Sequence, residues 1–220
     1  MHGYLADKNS FFNQYPFFER DFNPFALDFK GFGENKGMEY PYSLDDYVNE
    51  LTDFMSKNGI VFPHVIAHSF GARVALKAIY KNPKIFDRIV LTGAAGLRPK
   101  STFKKSVKKF AFNLLKKFTP KEKLNRFYSK DYLALDGVMR ESFKKIVNEH
   151  LDYVLPYVDN KTLLVFGNND KDTPLYMAKR FNGGIKNSRL CVIQGAGHFA
   201  FIDKSNKFNM EVREFLLSKD

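Results

Sequence analysis

Apolar residues in this chain fall into short unbroken runs, and the runs alternate with stretches of helical period. Val61 to His68, Arg88 to Thr92, Thr162 to Phe166 and Arg189 to Ile193 have strand length and are rich in β-branched residues. A further short run, Phe25-Ala26-Leu27-Asp28-Phe29, reads as a strand ahead of the turn-rich Lys30-Gly31-Phe32-Gly33-Glu34-Asn35. Leu44, Val48, Leu51 and Met55 recur on one helical face; Ser43 and Asp46 form a capping box at its start, and Gly59 stops it. Helices are also predicted over Phe70 to Tyr80, after Thr173-Pro174, and over Ser205 to Leu217. Strands alternating with helices predict an α/β fold, a mostly parallel sheet covered on both faces.

The alternation breaks between Gly96 and Asn160, where the pattern is helical. Phe103, Val107, Phe110, Leu114 and Phe118 form one stripe, flanked by paired lysines at 104/105, 108/109 and 116/117. Thr119-Pro120-Lys121-Glu122 is a second capping box. Asp136 is placed to cap a third helix that turns Met139, Phe143, Ile146 and Val147 inward. The chain therefore divides into a first core part (residues 1–96), a basic helical insertion (97–160) and a second core part (161–220). An insertion at this point sits over the carboxyl ends of the strands as a lid, where ligands bind in open parallel sheets.

Composition changes this picture little. A length of 220 residues suits one domain with a real core. No run of about eighteen apolar residues reads as a transmembrane helix, and the start lacks a signal-peptide layout, so the cytoplasm is the expected location. Cys191 is the only cysteine, which excludes an internal disulfide and a cysteine-based zinc site. The net charge of +11 invites a nucleic-acid reading. However, Leu97 to Lys130 holds twelve basic residues and one acidic residue, leaving 23 of each in the rest. The charge belongs to the insertion, and no nucleic-acid partner is expected. A solvated outer face explains it better than contact with a membrane or an anionic substrate, the competing reading.

The candidate chemistry lies at the strand ends. Val65-Ile66-Ala67-His68-Ser69-Phe70-Gly71 is an apolar run that turns into a helix at a serine between small residues, which presents a hydroxyl at the helix start. Asp170 follows the strand ending at Phe166, and His198 follows the strand ending at Ile193. Three loops at one edge of a parallel sheet can converge. Serine, histidine and aspartate are what an activated nucleophile needs: an attacking hydroxyl, its base, and an acid orienting that base. Asp172 is the rival acid. His68 is expected to pack beneath the elbow, and His2 to brace the loop it begins.

On these residues the chain resembles the α/β-hydrolase fold, and the likeness runs over essentially its whole length. His2-Gly3-Tyr4 resembles that family's oxyanion loop, which implies the backbone N–H groups of Tyr4 and Phe70 as oxyanion donors. Asp28 with Gly31-Phe32-Gly33 resembles its Asp-x-x-Gly-x-Gly turn; Ala67 stands where the elbow more often has glycine, and Asn35 where serine is frequent. The resemblance implies a cytoplasmic serine hydrolase acting on a small to medium acyl substrate, with Ser69, Asp170 and His198 as catalytic residues and no cofactor or metal. C–C bond hydrolysis, acyl transfer, a lyase step, or a non-catalytic binder are the alternatives. It also implies a buried strand directly before His2-Gly3 and two more before that. The expectation is therefore that roughly 20–50 residues precede Met1 in a longer protein; alternatively, the strands on either side pair directly. A chain without the missing strand is expected to be poorly soluble, with weak or absent activity.

Overall fold

The computed structural model describes residues 1–100, 135 and 137–219. Among them a parallel sheet runs β1 (Val65–His68), β2 (Ile89–Thr92), β3 (Thr162–Gly167) and β4 (Ser188–Ile193), in that spatial order. The register is regular, with Val65 beside Ile89, Ile89 beside Thr162 and Thr162 beside Ser188. The helices are α1 (Tyr15–Phe18), α2 (Leu44–Lys57), α3 (Phe70–Lys81), α4 (Gly137–Asn148), α5 (Leu175–Gly184), α6 (Ala200–Asp203) and α7 (Ser205–Leu217), with 3-10 turns at Lys8–Phe11 and Asp152–Tyr157.

A sheet that grows in one direction by right-handed crossovers puts its connecting helices on one face. α3 and α5 accordingly pack on the same side with α2, burying Leu76, Ile79, Leu91, Leu164, Phe166 and Phe181 in one core. The alternate side chains of β2 and β3, Val90, Leu163 and Val165, face the other way. They meet Phe201, Phe208 and Val212 of α6 and α7, together with Phe11 and Phe18. Both faces are thus covered, which is why β2 and β3 are continuously apolar.

The predicted capping box is present: Ser43 Oγ accepts from Asp46 N–H at 3.3 Å, and Asp46 Oδ2 accepts from Ser43 N–H at 2.7 Å. Two strand expectations need correction. The run from Val61 becomes a strand only at Val65, because Phe62 has φ +49° and Pro63 has no N–H to give a ladder. Phe25 to Phe29 is not a strand, since its backbone is spent elsewhere. Phe29 N–H donates to His2 Nε2, and Lys30 N–H to the Glu50 carboxylate. Nor does this segment pair directly with β1. Met1 lies along the outer edge of β1 instead, donating to Ile66 O at 2.7 Å and accepting from His68 N–H at 3.0 Å. Among the described residues no strand covers that edge. An apolar groove of about 420 Å³ runs beside it, lined by Phe18, Phe22, Phe25, Phe54, Phe62 and Ile66 among others.

The apolar stripe from Phe103 to Phe118, the capping box at Thr119 and the Asp136 cap lie outside the described residues. The third predicted helix is α4; Met139 and Ile146 are buried, and Phe143 and Val147 are half-buried. Its C-terminal end is held by Arg73 of α3, whose Nη1 donates to Ile146 O at 3.0 Å and Glu149 O at 2.9 Å. A cation at this end also suits the helix dipole. No helix among the described residues is long and apolar enough to cross a membrane.

Candidate active site

β1 ends at His68 and α3 begins at Phe70, so the whole reversal from strand to helix falls on Ser69. The serine takes φ +47° and ψ −102°, a conformation that costs a residue with a Cβ about 1–3 kcal/mol. Its neighbours fix it there: Ser69 N–H donates to Thr92 O at 3.1 Å, and Ala95 N–H donates to Ser69 O at 3.3 Å. Gly71 is needed for a different reason. A Cβ at that position would stand 2.7 Å from Met1 O and 2.9 Å from His2 O, so only glycine lets the N-terminal loop lie on the first turn of α3.

That loop is the predicted oxyanion loop. Gly3 faces the serine, close enough that a Cβ on it would lie 3.6 Å from Ser69 Cβ. His2 fixes the loop from within the core. Its Nε2 accepts from Phe29 N–H at 3.0 Å, which leaves the proton on Nδ1 to donate to Gly3 O at 2.8 Å. Burial pushes the His2 pKa down to about 4, which keeps this neutral tautomer in place. Tyr4 follows Gly3, and Phe70 opens α3, where a backbone N–H has no acceptor within the helix.

The other half of the site comes from the loops after β3 and β4. Asp170 is buried and fully hydrogen-bonded. Oδ1 accepts from Asp172 N–H at 2.9 Å and Thr173 N–H at 2.8 Å; Oδ2 accepts from the Thr173 hydroxyl at 2.7 Å and His198 Nδ1 at 2.9 Å. Burial works against its charge, but the bonds from His198 and Thr173 outweigh that and hold its carboxyl below the ordinary value. With Nδ1 committed to Asp170, Nε2 is the nitrogen left for acid–base work. Asp172 is exposed and meets Asp170 through its backbone.

Two contributors to this arrangement were not read as such from the sequence. Thr173 appeared only as the residue before the proline of α5, yet its hydroxyl also lies 3.3 Å from His198 Nδ1. Its place three residues after Asp170 was the available signal. Gly93, just past β2, has φ +49°, and a Cβ there would stand 2.9 Å from His198 O and 3.1 Å from its Nδ1. The histidine packs against the end of β2 because this residue is glycine.

The structure therefore joins Asp170 to His198 directly and brings Ser69 and His198 to the same end of β2, where Ser69 N–H bonds Thr92 O and His198 packs on Gly93. Among the described residues Ser69 makes no side-chain hydrogen bond to His198; in ligand-free sites such bonds are commonly long and tighten with substrate. The Tyr4 ring packs edge-on against Phe32, Phe70 and Phe143, and its hydroxyl donates to Met139 O at 3.1 Å. α4 thus meets the loop beside the serine. Atoms of Asp170, Asp172 and His198 suited to a metal lie within 4.8 Å of one another. The donors already filling both Asp170 oxygens make this an orienting carboxylate rather than an open ligand set.

A strained serine between strand and helix, with a His–Asp pair held at the ends of β3 and β4 on the same sheet edge, is the arrangement of an α/β hydrolase. The family described as the alpha/beta hydrolase fold matches residues 1–119 and 102–205, and the chain belongs to it. The hydrolase YugF of Bacillus subtilis (strain 168), itself uncharacterised, is 21% identical over 98% of this chain and 88% of its own length. Among solved structures, the esterase EaEST from Exiguobacterium antarcticum superposes with a TM-score of 0.78 at 22% identity, covering 99% of this chain and 90% of that one. The meta-cleavage product hydrolase CumD from Pseudomonas fluorescens IP01 gives 0.71 at 24% identity, covering 96% and 86%. At these identities the structural likeness speaks for the fold alone.

Proposed function

We propose that the protein is a serine hydrolase that cleaves an ester or related acyl bond of a small to medium substrate. The observation that carries this reading is the conformation of Ser69, held at φ +47° at a strand-to-helix turn, with the His198–Asp170 pair bonded at 2.9 Å on the same sheet edge. In this reading His198 Nε2 takes the proton from Ser69 Oγ as that oxygen attacks the carbonyl carbon. Asp170 holds the imidazole and balances the imidazolium. The N–H groups of Tyr4 and Phe70 stabilise the oxyanion. Collapse of the tetrahedral intermediate expels the alcohol, which takes the proton from His198. Water, activated by the same histidine, then frees the acid.

A fluorophosphonate probe tests the reading. Ser69 is expected to be labelled and Ser69→Ala is not. Hydrolysis of p-nitrophenyl esters should fall by about 10³-fold or more in Ser69→Ala and in Asp170→Asn. Wild-type protein that neither takes the probe nor turns over esters would overturn it. C–C bond hydrolysis is the second reading, favoured by relatives such as the 2-hydroxy-6-oxononadienedioate/2-hydroxy-6-oxononatrienedioate hydrolase of Pseudomonas sp, 21% identical over 91% of this chain and 79% of its own. Turnover of a vinylogous diketone at a higher kcat/KM than any ester would select it.

A further inference from the structure

We infer that His68 is a positioning residue: it carries its proton on Nε2 and ties the carbonyl of His198 to the serine elbow, setting the separation of base and nucleophile. The inference rests on the roles proposed above for Ser69 and His198.

The geometric need comes from the strand order. Ser69 follows β1 and His198 follows β4, at opposite sides of the four described strands. Three strand intervals place the ends of these strands on the order of 14 Å apart, so the loops must reach back over the sheet to meet. Asp170 holds His198 from β3, and Gly93 gives it room at the end of β2. The tie from β1 is His68, the residue directly before Ser69, whose Nε2 lies 3.1 Å from His198 O. A carbonyl only accepts, so this nitrogen must bear the proton.

The other nitrogen shows that the bond is bought at a cost. His68 is buried, and its Nδ1, then a bare acceptor, has no hydrogen-bond partner. A buried acceptor left unmade is unfavourable, and an apolar residue of similar volume would avoid it. The ring is also clamped in place. Phe199 and Phe201 pack on it with centroids 4.8 and 4.9 Å away, and Gly3 closes the remaining side so tightly that a Cβ there would fall 2.7 Å from Nδ1. Burial pushes the His68 pKa down to about 3, so one proton stays on the ring throughout the neutral range.

Two measurements test this. In the wild-type protein, ¹⁵N NMR of the imidazoles reads the tautomer. Protonation of His68 at Nε2 is expected; protonation at Nδ1 overturns the inference whether or not the protein hydrolyses esters. In the variants, His68→Met keeps the bulk and loses the donor, while His68→Gln keeps an N–H near the Nε2 position. His68→Met should lower kcat for p-nitrophenyl acetate on the order of ten- to a hundredfold, the scale of a misplaced catalytic group. KM should stay within about twofold, because the change moves the base and removes no group assigned to substrate, and His68→Gln should recover most of the loss. A fully active His68→Met, or a folded His68→Gln as impaired as His68→Met, overturns the inference while labelling of Ser69 in the wild type still upholds the hydrolase reading.

Discussion

His2, whose carbonyl accepts from Gly71 N–H, and His68, which directly precedes Ser69, are both held neutral by burial, with pKa values near 4 and 3 against an ordinary 6.5. In the unfolded chain each takes a proton as pH falls through 6.5, and in the native protein each refuses it. Their contribution to stability is therefore whole above pH 6.5 and is lost progressively as pH falls toward their native values. Most carboxylates titrate below this range; the Met1 amine, which burial pushes down to about 5, adds to the same fall between pH 7 and 5, so the contribution of His2 is read from its variant. The urea midpoint is expected to fall across that window, and His2→Gln should make the fall shallower than in the wild type. An equal slope in the variant would show that His2 does not resist protonation. Because His2 fixes Gly3 and His68 touches His198, acid should loosen the site at the same groups that stabilise the fold.

At the scale of elements, local signals succeeded where the chain answers to itself. The Ser43–Asp46 capping box is such a case. Replacing Ser43 with alanine should cost about 1 kcal/mol, read as a lower urea midpoint with an unchanged m-value. The run Val65–His68, the serine turn and the start of α3 were likewise legible, since an apolar strand, small residues and a helical period meet there. Phe25–Phe29 has the residues of a strand, but a strand is defined by a partner, and here His2 takes the N–H of Phe29 and Glu50 that of Lys30. Over Val61–His64 the apolar run hides the cost of Phe62-Pro63, whose backbone cannot join the ladder. The loops carrying Asp170 and His198 could be found from their places after strands. The bond through His68, the approach of the Thr173 hydroxyl to His198 and the close approach at Gly93 join residues far apart in the chain. No periodicity encodes those.

For the whole molecule, two apolar cores on the two faces of one sheet account for the family's architecture and leave the strand ends free to carry chemistry. The sheet is asymmetric in one respect. β1 carries the elbow, yet its outer edge is paired only by Met1 among the described residues, beside a groove in which Phe25 and Phe62 are about half exposed. Free backbone edges next to apolar surface are templates for association between molecules. The expected outcome is self-association that grows with protein concentration, visible by sedimentation velocity, and reduced by the double substitution Phe25→Lys and Phe62→Lys. A wild-type protein that stays monomeric at high concentration would contradict it. Since β1 leads directly into Ser69, a neighbour adding to that edge would crowd the His2-Gly3 loop, so on the proposed hydrolase reading specific activity should decline as the protein is concentrated. Dilution would then restore turnover, making assay concentration a hidden variable in any measurement on this protein.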